Sequence, residues 1–139
     1  MTQPSKPPMP YFGGKQRIAN EIIALFPAHA HYVEPFAGGL SVLLAKEPSK
    51  IETVNDLDGD LVNFWRVLRD SPEQLITQCT FTPHSRVERA DAQQPRDGLS
   101  DLERARRVWV ELTQGRSGTR RQTGWRFYLD AQGTNASMV

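Results

Sequence analysis

The segment that decides the fold is HYVEPFAGGLSVLLAK, residues 31–46. Residues 31–36 have the apolar pattern of a short strand, and residues 40–46 have that of a helix. Gly38 and Gly39 stand between them, where a tight turn needs residues without a side chain. The segment therefore predicts a strand, a glycine turn and a helix.

Similar elements flank this segment on both sides. Residues 18–26 place apolar side chains at near-helical spacing, residues 51–55 indicate a second short strand, and residues 61–69 indicate another amphipathic helix. Strands that alternate with helices favour an α/β layer with parallel strands, in which ligands bind beyond the carboxyl ends of the strands. Two strands alone do not complete such a sheet, and their free edge predicts a marginally stable or aggregation-prone fold.

The second half of the chain is predicted to be helical. Ser71 with Gln74, and Ser100 with Glu103, have the spacing of capping boxes that open helices. The second of these helices is expected to turn four side chains inward: Leu102, Ala105, Trp109 and Leu112. Residues 82–99 are interpreted as polar and irregular. Trp65 and Trp109 are interpreted as core residues.

The first ten residues contain four prolines among small polar residues. Proline-rich segments of this kind adopt extended conformations and cannot continue a helix or a sheet. Residues 1–10 are therefore predicted to be a flexible arm that lies outside the core.

The overall composition is that of a globular protein, with 38% hydrophobic and 24% charged residues and a formal net charge of +1. Positive charge is concentrated near the end of the chain, where no acidic residue occurs between Glu111 and Asp130. The basic residues there are Arg116, Arg120, Arg121 and Arg126. Arginines beside aromatic residues suit contacts with nucleic-acid phosphates and bases, although most such loops are simply solvated.

Several classes of function are disfavoured. The single cysteine, Cys79, cannot form an internal disulfide, and the three histidines lack metal-ligand spacing, so no metal site is predicted and the histidines are expected at the surface. No signal peptide or long apolar run occurs, which favours a cytoplasmic protein without a membrane role.

The glycine turn and the second strand together suggest a nucleoside ligand. Asp56 follows Gly38 by 18 residues, close to the offset at which an acidic residue meets a ribose in dinucleotide-binding folds. The alternative is that the glycines only turn the chain and that Asp56 caps the next helix or is solvated. The spacing leaves both interpretations open.

The stretch YFGGK, residues 11–15, is the other candidate for ligand binding. Its aromatic pair could stack on a base and its lysine could reach a carboxylate, or it could be an ordinary turn with a surface lysine. It is not a phosphate loop, because Gln16 stands where that motif has Ser or Thr.

Taken together, residues 11–15, VEPFAGG at 33–39, NDLD at 55–58 and DLVN at 60–63 resemble the N-terminal half of DNA adenine methyltransferases. The similarity covers residues 10–69, and it is to the group in which the cofactor motifs come first. It implies S-adenosylmethionine as cofactor and double-stranded DNA as partner. The residues that it implies for the cofactor are Tyr11, Lys15, Glu34, Pro35, Phe36, Gly38, Gly39 and Asp56.

The same resemblance implies how the chain is organised. Residues 11–70 would be the cofactor-binding part, with Tyr11 and Lys15 on the cofactor, the turn from Glu34 on its methionine part and Asp56 on its adenosine. Residues 71–139 would begin a helical target-recognition region whose arginines contact DNA. The predicted fold class is α/β, a partial Rossmann-like methyltransferase sheet followed by a mainly helical recognition segment.

The Asp-Pro-Pro-Tyr motif that grips the target adenine in this family is absent from the sequence. The first hypothesis is therefore a truncated DNA adenine methyltransferase with no catalytic residue of its own. The second is a non-catalytic cofactor- or DNA-binding protein, or one half of a split enzyme whose partner chain supplies the tetrapeptide. An unrelated dinucleotide-binding oxidoreductase ranks last, because the Gly-x-Gly-x-x-Gly pattern is missing.

Overall fold

A computed structural model describes residues 5–126 of the chain. It contains a small parallel sheet and a set of helices. In chain order the elements are α1 (Ala19–Ala24), β1 (His31–Glu34), α2 (Ser41–Ala45), β2 (Ile51–Val54), α3 (Gly59–Asp70), α4 (Pro72–Thr80), α5 (Arg86–Ala92), α6 (Asp101–Gln114) and a 3-10 turn at Arg116–Gly118. The predicted order of helix, strand, helix, strand and helix is confirmed.

The two strands pair in parallel, with His31 opposite Ile51 and Glu34 opposite Val54. All four residues of β2 are exposed, as are two of the four in β1. Within the described part of the chain the sheet has only these two strands. This small sheet holds the glycine turn in place, but it does not supply the core.

The core lies between α3, α4 and α6 instead. Its buried residues are Met9, Leu61, Phe64, Val67, Leu75, Ala105, Val108 and Leu112. Leu61, Phe64 and Val67 lie three residues apart on α3, so their side chains share one face of that helix. Trp65 and Trp109 pack against this cluster while remaining only partly buried.

Local hydrogen bonds explain where two of the longer helices begin. The Asp58 side chain accepts from the backbone amides of Asp60 and Leu61 at the start of α3. The Ser100 hydroxyl accepts from the Glu103 amide at the start of α6, as predicted. Both contacts satisfy amides that have no partner within the helix.

Four sequence predictions about the fold are wrong. The described part of the arm, residues 5–10, is not outside the core, because Met9 is 3% exposed and the Ser5 amide donates to the Leu44 carbonyl at 3.1 Å. Residues 82–99 are not irregular throughout, since they include α5. The Ser85 hydroxyl opens that helix by accepting from the Glu88 amide.

The other two errors concern a cap and a histidine. The Ser71 side chain makes no capping hydrogen bond, and α4 instead begins with Pro72 at its first position. His84 is not a surface residue: it is half-buried, its Nε2 lies 2.9 Å from the Arg126 carbonyl oxygen, and its ring packs against the Trp125 ring with centroids 4.7 Å apart. His29 and His31 are exposed, as expected. None of the helices between residues 5 and 126 is long and apolar enough to cross a membrane.

Candidate functional site

The glycine turn joins the end of β1 to α2 and is held against the end of β2. The Ala37 amide donates to the Asn55 carbonyl at 2.8 Å, and the Asn55 amide donates to the Glu34 carbonyl at 3.0 Å. These bonds continue the parallel pairing past the strands themselves. They bring Glu34, Gly38 and Asp56 together at the carboxyl edge of the sheet, where α/β folds bind ligands.

Asp56 fixes the turn directly. One of its carboxylate oxygens accepts from the Gly38 amide at 2.9 Å, and the other accepts from the Asp58 amide at 3.0 Å. The opposite side of the Gly38 residue is held by Trp65, whose indole Nε1–H donates to the Gly38 carbonyl at 3.0 Å. Gly38 is thus bonded through both its amide and its carbonyl to side chains that lie outside the turn.

Close packing explains why glycine occurs at these positions. Gly38 has a φ of +50°, and a Cβ there would lie 2.8 Å from the Tyr11 ring. A Cβ on Gly39 would lie 3.1 Å from the Tyr11 Cβ. The glycines therefore admit the Tyr11 side chain, and this is how the YFGGK stretch comes to face the turn.

A cleft of about 320 Å³ opens between these two segments and is called here the cofactor cleft, after the ligand that the sequence predicts for it. It is lined by Tyr11, Gly13, Gly14, Lys15, Glu34, Phe36, Ala37, Gly38, Gly39 and Ser41. Six of the eight residues predicted for the cofactor are thus in one cleft. Of the other two, Asp56 is hydrogen-bonded to Gly38, and Pro35 lies in the chain between the cleft residues Glu34 and Phe36.

Two ionisable groups of the cleft have shifted pKa values. Burial raises the pKa of the Glu34 carboxyl, although the Tyr32 hydroxyl, which donates to it at 3.1 Å, opposes the shift. Burial, together with the charges of Asp56 and Asp58, raises the pKa of the Tyr11 hydroxyl. Glu34 makes no ion pair with any other residue in the range 5–126, so a half-buried carboxylate faces the cleft without a cation.

Two large apolar side chains lie exposed beside this carboxyl edge. Phe36, in the turn, is 87% exposed, and Leu57, which follows Asp56, is 98% exposed. Exposed apolar side chains that adjoin a cleft are typical of binding sites. The sequence predicts neither the exposure of Leu57 nor the hydrogen bond to the turn made by Trp65, which is predicted only as a core residue. The position of Leu57, directly after Asp56 at the end of the second strand, is the sequence signal that places it at the carboxyl edge of the sheet.

The loop that follows α6, residues 115–126, carries the four arginines predicted to contact DNA; this arginine loop lies against the same region of the fold. The Arg116 amide donates to the Gly124 carbonyl at 3.0 Å, and Gly115 pairs with Trp125 in an isolated antiparallel β-bridge. The Phe12 amide donates to the Gly118 carbonyl at 2.8 Å, which ties the loop to the YFGGK stretch. The loop therefore meets the cofactor cleft at its aromatic pair.

The four arginines predicted to contact DNA have different surroundings. Arg116 and Arg121 are exposed, and Arg126 is half-buried. Arg120 is bound to three carboxylates: Asp58, Asp60 at 3.1 Å and Glu111 at 2.8 Å. Burial alone would lower the pKa of Arg120, but hydrogen bonds and negative charge from Glu111 and Asp58 raise it.

Comparison with known proteins identifies the family of the chain. The family described as D12 class N6 adenine-specific DNA methyltransferase matches residues 11–107, which is more than half of the chain. The chain belongs to this family. The matched range includes the whole cofactor cleft and continues into α6, so the family assignment covers both the sheet and most of the helical part.

A curated relative supports the same assignment. The type II methyltransferase M1.LlaDCHI of Lactococcus lactis subsp. cremoris is 33% identical to the chain over 110 residues. The aligned region is 72% of this chain and 38% of the relative. This D12-class methyltransferase chain therefore spans less than half the length of that relative.

Proposed function

We propose that the chain carries the S-adenosylmethionine-binding part of a DNA adenine methyltransferase, with a partial Rossmann-like sheet. The observation that carries the proposal is the convergence of the glycine turn, Asp56 and the YFGGK stretch on one cleft at the carboxyl edge of the sheet. In the oxidoreductase alternative, the YFGGK stretch would have no role.

The residues of the cleft fit the chemistry of this cofactor. Glu34 offers a carboxylate without a cationic partner, which suits the ammonium or sulfonium of the ligand, and Lys15 offers a cation for its carboxylate. Phe36 and Leu57 offer apolar surface near the glycine turn and Asp56. Each Asp56 oxygen accepts one backbone amide and retains a lone pair for a ribose hydroxyl.

When bound, S-adenosylmethionine supplies an electrophilic methyl group on sulfur. The residues of this chain hold and orient it: Tyr11 forms a wall of the cleft, Trp65 and Asp56 fix the turn, and Glu34 supplies negative charge. Adenine's exocyclic amine must be extruded from the duplex and gripped before it reacts. Because Asp-Pro-Pro-Tyr is absent from the sequence, we propose that this grip comes from a polypeptide segment beyond these residues.

DNA would approach on the side of the arginine loop. Arg116 and Arg121 are exposed and suit phosphate contacts, and the half-buried Arg126 is proposed to contact DNA on the same side. Arg120 would act mainly as the anchor of the loop, because three carboxylates already surround its guanidinium.

Calorimetric titration of the purified chain with S-adenosylmethionine tests the cofactor assignment. Glu34→Gln should weaken binding about 10- to 150-fold, since a charge-assisted contact contributes on the order of 1.5–3 kcal/mol. Asp56→Ala should abolish detectable binding, because it frees the Gly38 amide. Glu47→Gln is the matched control, an exposed glutamate just after α2 that lies outside the cleft.

Titration with NAD serves as the competing test. Binding of NAD but not S-adenosylmethionine by the folded chain would favour the oxidoreductase. Equal affinities of the Glu34→Gln and Glu47→Gln variants for S-adenosylmethionine would show that Glu34 does not contribute to binding.

A further inference from the structure

The Tyr32 side chain connects the sheet to the cofactor cleft. Its hydroxyl donates at 3.1 Å to the carboxylate of Glu34, which lies two residues further along β1. Successive side chains of a strand point to opposite faces of the sheet, so residues 32 and 34 share one face. A phenol hydroxyl is thus placed beside the carboxylate that lines the cleft.

The Tyr32 ring is held by neighbours from both sides of β1 in the chain. In the loop between α1 and β1, the rings of Phe26 and His29 pack against it with centroids 5.6 and 6.2 Å away. At the end of α2, the buried Lys46 ammonium lies 4.8 Å from the ring centroid and is itself paired with Glu52 of β2. A ring held in this way keeps its hydroxyl oxygen in one position, so the bond to the cleft carboxylate does not depend on a mobile side chain.

The Tyr32 hydroxyl remains a proton donor at the pH values where a carboxyl group titrates. Burial, the hydrogen-bonded Glu34 carboxylate and the charge of Glu52 all raise the pKa of Tyr32. A hydrogen bond donated to a carboxylate favours its charged form, so the hydroxyl opposes the burial that raises the pKa of Glu34. Each carboxylate oxygen can accept more than one hydrogen bond, and Glu34 therefore stays able to bind a cation.

The groups that face the Glu34 carboxyl come from three parts of the fold. Tyr32 lies on β1, the Leu43 amide of α2 also lowers the pKa of Glu34, and Tyr11 and Lys15 line the same cleft from the YFGGK stretch. The Lys15 ammonium donates at 2.8 Å to the backbone carbonyl two residues before it. Among residues 5–126, the side chain that donates a hydrogen bond to Glu34 is therefore that of Tyr32.

We propose that Tyr32 is a positioning residue of the cofactor cleft, whose hydroxyl holds the Glu34 carboxylate in one orientation for a bound cation. That cation is the ammonium or sulfonium of the ligand, so the inference rests on the proposed function for its choice of ligand. Because the carboxylate is held before the ligand arrives, less conformational freedom is lost on binding. Removal of the hydroxyl should weaken binding and should also make Glu34 easier to protonate.

Nuclear magnetic resonance of the ligand-free chain tests the contact directly, with the carboxyl-carbon chemical shift of Glu34 followed against pH. Tyr32→Phe keeps the ring and its packing, and it should move the Glu34 titration to higher pH because a donor to the charged form is lost. Thr53→Val is the matched control. It removes an exposed hydroxyl of β2 that contacts His31 at 2.8 Å, outside the cleft, and should leave the titration unchanged. An unmoved titration in Tyr32→Phe would overturn the proposal.

Calorimetric titration with S-adenosylmethionine at several pH values tests the consequence for binding. The affinity of the wild-type chain should fall as the pH falls through the Glu34 pKa. Tyr32→Phe should weaken binding about two- to tenfold at neutral pH, the effect of one hydrogen bond, and should shift the fall in affinity to higher pH.

A double variant shows whether Tyr32 acts through Glu34. In the Glu34→Gln background there is no charge for the hydroxyl to hold, so adding Tyr32→Phe should change the affinity by less than about twofold. An equal loss in both backgrounds, or a loss that leaves the pH dependence unmoved, would assign the effect to packing of the sheet and overturn the proposal.

The two kinds of measurement separate failure of this inference from failure of the proposed function. If the folded wild-type chain does not bind S-adenosylmethionine while Tyr32→Phe still shifts the Glu34 titration, the proposed function is refuted and the positioning of Glu34 stands. If the wild-type chain binds the cofactor and Tyr32→Phe changes neither the titration nor the affinity, only the role of Tyr32 is refuted.

Discussion

The sheet region and the helical region of this D12-family chain differ in where most of their large apolar side chains lie. In the helical region, Phe64, Leu75, Val108 and Leu112 are at most 2% exposed. In and around the sheet, large apolar residues are exposed instead: Val33, Phe36, Ile51, Val54 and Leu57. The cofactor cleft lies where the sheet region and the helical region meet. Burial of apolar surface therefore stabilises the helices, while the cofactor cleft depends on hydrogen bonds that connect the sheet to them.

Substitution of one apolar residue in each region should show the largest difference in the free energy of unfolding. Phe64→Ala removes a fully buried ring and should lower the free energy of unfolding by about 3–5 kcal/mol, whereas Ile51→Ala should change it by less than about 1 kcal/mol. Urea unfolding followed by circular dichroism measures both. Comparable losses would mean that the sheet contributes to the core as much as the helices do.

The exposed sheet should also affect self-association. Val33 and Ile51 lie on the same face of the sheet, and that face and the sheet edges offer a surface on which copies can associate. Val33→Lys should therefore lower light scattering at high protein concentration without lowering the unfolding midpoint. Scattering equal to that of the wild-type chain would show that other surfaces drive association.

Arg120 should stabilise the contact between the regions. Its removal in Arg120→Gln leaves Asp58 without an ion pair and weakens the pairing of Glu111, so it should cost about 1–3 kcal/mol after allowing for partial solvent exposure. Arg121→Gln is the matched control and should cost less than about 0.5 kcal/mol, because Arg121 is exposed. Denaturant unfolding of the two variants gives the comparison, and equal stabilities would remove the anchoring role of Arg120.

Two serines that look alike in sequence should behave differently. Ser100→Ala should cost about 1 kcal/mol because it removes the cap of α6, whereas Ser71→Ala should have almost no effect because Ser71 makes no capping hydrogen bond. Thermal melts of both variants measure the difference. A similar fall in melting temperature would show that both serines cap helices in solution.

Glu103 should make a small, pH-dependent contribution to the helical region. Hydrogen bonds from Arg106, at 2.7 and 2.8 Å, and from Arg107 lower its pKa from 4.5 to about 2. A carboxyl group whose pKa is lower in the folded than in the unfolded protein stabilises the fold fully at pH values above its unfolded pKa. For Glu103 this stabilisation disappears as the pH falls from about 4.5 to about 2.

Because the group is partly exposed, we expect a contribution of about 1 kcal/mol or less. The unfolding free energies of the wild-type chain and Glu103→Gln should therefore differ at neutral pH and converge near pH 2. Urea titrations across that range give the result, and a difference that is independent of pH would assign the effect to packing.

Local patterns in the sequence determined the order of strands and helices, the glycine turn, the Ser100 cap and the family resemblance. These depend on residues within a few positions of one another, where periodicity, glycine and capping chemistry act directly. The residues predicted for the cofactor were found around one cleft for the same reason, since parallel strands bring their carboxyl ends together.

Tertiary structure alone decided the partners of residues far apart in the chain. The burial of Met9 among the helices, the Trp65 bond to Gly38 and the attachment of Arg120 to Asp58 join segments that no local period connects. An arginine in a basic loop has the same sequence signature whether it meets solvent, DNA or a carboxylate. Only the packed fold distinguishes Arg120 from Arg121, because the partner of a charged side chain is set by which elements fold against it.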